Sequence, residues 1–161
     1  MRPVDWSGWA VFGFIGTLVL TGIMLGANLL GLTRMGMPLV LGSMVADDVD
    51  RARTIGAVLH VAAGMVFAFL YAIAFAVIGE ATWWLGGLFG VVHGLAVLIL
   101  LLPALPAVHP HMASDRTGPA LGIRLQPPGP LGLHYGASTP VVTLLAHVSF
   151  GVVLGSFLSP R

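Results

Sequence analysis

Charge vanishes from this chain in four long stretches: no Asp, Glu, Lys or Arg occurs from Trp6 to Thr33, Thr54 to Gly79, Ala81 to Ser114, or Leu125 to Pro160. A segment that crosses hydrocarbon must satisfy its own backbone polar groups, and a helix of about 20 apolar residues does so. The pattern predicts helices at about 9–32, 55–78 and 82–102, the third ending where Pro103 and Pro106 interrupt it. The fourth stretch is apolar only over about 139–158, because Gln126 to Gly136 is rich in Pro and Gly. The expectation is an all-α fold: a four-transmembrane-helix bundle forming one membrane domain over 1–161, with an interfacial segment at 35–46 and a Pro/Gly-rich cytoplasmic loop at 103–138.

Composition agrees. The chain is 57% hydrophobic and 8% charged, with a mean hydropathy of +0.98, which lies far from a soluble domain. A net charge of +1 offers no basic surface for nucleic acid, so the partner that composition implies is the lipid bilayer. With no cysteine, disulfides, thiolate metal sites, iron–sulfur clusters and thiol nucleophiles are excluded. The first apolar stretch is longer than a signal peptide's and lacks a small-x-small cleavage site, so it reads as a retained span.

Arg34, Arg51, Arg53, Arg116 and Arg124 follow the first and third spans, whereas only Arg2 and Arg161 lie on the other side. The positive-inside rule then places both termini on the outer side of a bacterial inner membrane. Trp6, Trp9, Trp83 and Trp84 all map to that outer face, as interfacial anchors do. Gly79, Glu80 and Ala81 leave so short a connection that the second and third spans form an antiparallel hairpin.

Three histidines, His60, His93 and His147, fall inside spans, where an imidazole must find a protein partner; such residues are functional candidates. Each lies on or beside a run of small residues at four-residue spacing. These runs are Gly56 and Gly64 about His60, Gly86, Gly90 and Gly94 about His93, and Gly151 and Gly155 after His147. Phe67 and Tyr71 continue the face of His60, while Gly22 and Gly26 give the first span a similar run without a histidine. At 1.5 Å per residue, His60 is roughly 8 Å from the inner end of its span and the other two roughly 12–13 Å. A shared site is therefore one expectation, suited to Zn, Cu or Fe, or to a b-type haem held by two of the three; proton relay is a further use of imidazole. The plainer reading is interhelical hydrogen bonding to Thr143, Ser149 or Tyr71.

A second group, His109, His111 and His134, lies in the cytoplasmic loop, where His109-Pro110-His111 offers a weaker metal-ligand pattern. Asp47, Asp48 and Asp50 invite a Mg²⁺ reading, but Arg51 and Arg53 neutralise them and no second acidic cluster exists, so a self-paired turn is expected. GxSxG, phosphate-loop and dinucleotide-binding motifs are all missing.

The runs LGSMVADDVDRARTIGAVLH, WWLGGLFGVVHGL, HPHMAS, QPPGPLGLHYG and LLAHVSFGVVLGSF resemble a family of small bacterial four-span integral membrane proteins to which no activity is assigned. The likeness covers about Gly36 to Phe157. It implies one bundle and carries no catalytic residue across. Two functions follow as expectations. One is an accessory subunit of a larger membrane assembly, joined to a protein partner or to its own copies through Gly-rich faces. The other is a metal- or haem-binding redox or transport protein using the intramembrane histidines.

Overall fold

The computed structural model describes residues 3–112 and 124–158. Arg2, Arg116 and Arg161, which enter the orientation argument, lie outside them. Six α-helices occur among the described residues: α1 (Trp6–Leu29), α2 (Met37–Gly42), α3 (Val49–Ile78), α4 (Trp83–Ala96), α5 (Leu102–Val108) and α6 (Thr139–Phe157). Four continuous helical stretches are long and apolar enough to cross a membrane: Trp6–Leu29, Val49–Ile78, Trp83–Val108 and Thr139–Phe157. The protein is all-α, and these four stretches fit a multi-pass membrane protein.

Helix ends follow local chemistry. Asp5 accepts the Gly8 N–H at 2.9 Å and Asp48 accepts the Arg51 N–H at 2.9 Å, the arrangement expected of an N-cap carboxylate. Gly31 at φ 72° and Gly79 at φ 83° close α1 and α3 in the left-handed region, where glycine carries no Cβ penalty.

The third span corrects the sequence expectation. It runs on through Pro103 and Pro106 to Val108, because a π-helical turn at Val97–Leu101 precedes α5. Pro103 then stands in the first turn of α5, where its missing N–H and fixed φ are tolerated.

The chain forms two compact units. The first gathers Met1–Met24, Val61–Gly94 and Thr143–Arg161. In it α1 meets α3 through Gly13 beside Ala68 and Gly64 beside Thr17, and the Trp9 indole donates to the Met65 carbonyl at 3.0 Å. Segments of α4 and α6 run antiparallel, with Gly86 against Gly151 and Gly155 against Thr82 and Gly86. A Cβ on any of these glycines would collide with a facing backbone, so glycine is what permits the approach. Phe12 stacks on Phe157 at 4.9 Å. The four helix segments are thus an up-down-up-down set.

The second unit gathers Leu25–His60 and Leu95–Val142. Here α2 lies on the first turns of α3: a Cβ on Gly42 would collide with the Ala52 carbonyl, and one on Gly56 with that of Pro38. The segment expected at the interface is therefore a short helix with Met35, Val40 and Ser43 buried. Arg34 donates its N–H to the Tyr135 carbonyl at 2.7 Å, and the Thr33 and Thr139 hydroxyls meet at 2.7 Å. The Tyr135 hydroxyl donates to the Gln126 carbonyl at 2.7 Å. The Pro/Gly-rich segment is ordered by these bonds over 124–138.

Candidate functional site

The first unit brings together two of the three intramembrane histidines. A Cβ on Gly90 would collide with the His147 carbonyl, and one on Gly94 would sit 3.2 Å from the His147 Cβ. This close crossing sets the rings of His93 and His147 at a centroid distance of 4.6 Å and an interplanar angle of 78°. His147 Nδ1 lies 2.7 Å from the Thr143 carbonyl. A carbonyl only accepts, so the proton is on Nδ1 and Nε2 keeps its lone pair.

His93 lies in an aromatic nest. Its ring is 4.0 Å from that of Phe67, and its Nδ1 is 3.5 Å from the Tyr71 hydroxyl, a long contact. Tyr71 in turn packs edge-on to Phe75, Phe89 and Phe150. Tyr71 is buried, His147 is 8% exposed and His93 is half-buried. The aromatic face of α3 was legible as the Phe67–Tyr71 continuation; that it receives His93 was not. His60 belongs to the second unit, half-buried on α3.

Two imidazoles sharing one haem iron face each other across the macrocycle, each nitrogen about 2 Å from the metal. Here the rings pack edge to face, and α4 meets α6 backbone to backbone on both Gly86 and Gly90. No slot for a porphyrin exists between His93 and His147. For a metal ion, two adjacent imidazoles are a partial ligand set. Among the described residues no three His, Cys, Asp or Glu side chains gather closely enough to hold one.

The loop histidines divide as well. His109 is fully buried, and its Nε2 donates to the Val40 carbonyl at 2.8 Å while its Nδ1 accepts the His111 N–H at 3.1 Å. Ser43 Oγ is 3.4 Å from that Nε2 and donates to the Leu39 carbonyl at 2.6 Å. This pair looks like a nucleophile and its base, but the proton already sits on the nitrogen that would have to accept one. Burial pushes His109 below the ordinary imidazole value of 6.5; the Val40 carbonyl partly offsets this, and His111 adds to it. Burial pushes the Tyr135 phenol up.

His111 points Nε2 to Asp47 at 3.1 Å, and its buried Nδ1 has no hydrogen-bond partner among the described residues. No sequence signal announced the His111–Asp47 pair. His134 is exposed, directs Nδ1 to the Pro127 carbonyl at 3.0 Å and covers Gly129. Asp50 lies 3.7 Å from Arg53 in the first turns of α3, whereas Asp47 turns to His111, so the acidic segment is only partly paired within itself.

The architecture defines an all-α protein with four membrane-length helices and a paired-histidine contact between two of them. Comparison with protein-family models, with curated proteins and with solved structures finds no match.

Proposed function

We propose that this chain is an accessory subunit of a larger assembly in a bacterial inner membrane, with both termini on the outer side and its intramembrane histidines serving helix packing. The observation that carries this reading is the contrast between its glycine faces. At Gly86, Gly90, Gly151 and Gly155 of α4 and α6 the space of a side chain is filled by a facing backbone, whereas Gly22 and Gly26 of α1 have nothing within 4 Å among the described residues. Gly22 is exposed, and so are Leu18, Val19, Leu25 and Leu29. Small residues at this spacing let another helix approach closely in lipid. The histidines support the same reading, since His147 answers its N–H within its own helix and His93 stacks among aromatic rings. The resemblance to small four-span bacterial membrane proteins accords with it.

The chain has no cysteine, which makes the test direct. Gly22→Cys, cross-linked in intact membranes of producing cells, should give a discrete larger species, and Val58→Cys on exposed α3 should not. The protein purified in mild detergent should carry no stoichiometric metal and no Soret band. A monomer without cross-links overturns the proposal. Metal bound one-to-one and lost in His93→Ala would replace it with a metal-binding redox or transport role.

A further inference from the structure

In the second unit, the turn between α2 and α3 opens a cavity of about 470 Å³ lined by Val45, Ala46, Asp47, Asp48, Arg51 and Ile55. That volume falls within the range of small-molecule sites. Its walls have two characters. Asp47 and Asp48 supply carboxylates and Arg51 a guanidinium, whereas Val45 and Ile55 are apolar side chains left 67% and 38% exposed. Asp47 is held in place by His111 Nε2 at 3.1 Å, although its side chain remains 89% exposed and open to a ligand.

Depth selects the kind of ligand. Helix α3 has 30 residues, so at 1.5 Å each it is about 45 Å long, the thickness of a bilayer with its headgroups rather than of the hydrocarbon alone. Its first turns, carrying Asp50, Arg51 and Arg53, therefore fall in the headgroup layer. Ile55 stands four residues beyond Arg51, about 6 Å deeper, where acyl chains begin.

We propose that this cavity binds the headgroup of an ethanolamine phospholipid, with the primary ammonium on Asp47 and Asp48, the phosphate on Arg51, and the acyl chains leaving over Val45 and Ile55. Two carboxylates against one guanidinium disfavour a net-anionic headgroup such as glycerol phosphate. A choline ammonium has no N–H to donate to a carboxylate, and the cavity lining contains no aromatic ring to receive it instead. The ammonium alone combines a positive charge with N–H donors, so it ion-pairs and hydrogen-bonds the carboxylates at once, which neither competitor can do. This site is separate from the glycine face of α1 and does not depend on the subunit reading.

The test is lipid retention by the full-length protein in detergent, read by native mass spectrometry with ethanolamine, choline and glycerol phospholipids of identical acyl chains. The ethanolamine lipid should be retained about tenfold better than the choline lipid, the effect expected of one charge-assisted hydrogen bond. Asp47→Asn and Asp48→Asn keep their acceptor oxygens, and Asn still caps a helix. The double variant should bring the two lipids to parity. Equal retention of all three headgroups by the unmodified protein, or preference for glycerol phosphate, would overturn the proposal without recourse to a variant. Displacement of the lipid by free phosphoethanolamine would overturn its assignment to a lipid.

Discussion

Gly90→Ala tests the α4–α6 contact. The added Cβ would overlap the His147 carbonyl oxygen and lie 2.6 Å from Val148 Cα. Both are backbone atoms, so no rotamer change relieves the clash and the helices must separate. Overpacking of this kind costs about 3 kcal/mol, towards the upper end of its usual range. Replacing glycine by alanine inside a helix returns about 1 kcal/mol, leaving a net loss of about 2 kcal/mol. Gly22→Ala is the matched control, because among the described residues nothing lies within 4 Å of the added Cβ; it gains the same ~1 kcal/mol with no clash. The two variants should therefore differ by about 3 kcal/mol in unfolding free energy, measured by denaturant titration in detergent. Equal stability would refute the assignment of Gly90 to a backbone-to-backbone contact.

Replacing Gly132 should also destabilise, because it sits at φ 75° with Thr139 Cγ2 3.1 Å from any added Cβ; thermal melts of Gly132→Ala check this. For His109, burial disfavours the protonated form, so native stability is unaffected above its unfolded value of 6.5 and is lost as pH falls below it, towards the depressed folded value. His109→Gln should flatten that part of the stability–pH profile while keeping a donor to the Val40 carbonyl. His147→Leu removes the donor to Thr143 and the ring against His93, and should cost about 1–2 kcal/mol in the same titration. A reporter fused after Arg161 should be active only on the outer side, and the opposite result would reverse the proposed orientation.

The membrane helices were readable because hydrocarbon imposes one rule on length and charge; α1 and α6 obey it within a few residues, while α3 begins at Val49 and carries Asp50, Arg51 and Arg53 into the helix ahead of its apolar stretch. Helix α5 was not readable, since a proline normally ends the pattern and the π-helical turn that accommodates Pro103 leaves no mark in apolar sequence. Glycine spacing identified the faces of α4 and α6 but gave Gly22 and Gly26 the same signature, although among the described residues nothing meets a Cβ built on either. Spacing says which backbone can be approached, whereas the approaching helix is a property of the fold. The depth estimate matched His93 with His147 for a physical reason: both sit on glycine faces that cross. The His111–Asp47 pair joins segments far apart in the chain, and periodicity cannot report such a contact.

Leu131 holds φ 53° between Gly129 at φ 67° and Gly132 at φ 75°, the one described non-glycine residue in the left-handed region. That conformation costs leucine about 1–2 kcal/mol, and glycine would adopt it freely. Yet the side chain is 39% exposed, so interior packing alone does not account for it. Moving a leucine side chain from water to an apolar medium gains about 1.5–3 kcal/mol, enough to offset the backbone cost. An apolar cover over this turn would therefore offset a strain that water leaves standing. Leu131→Gly should relax the turn wherever that side chain faces water.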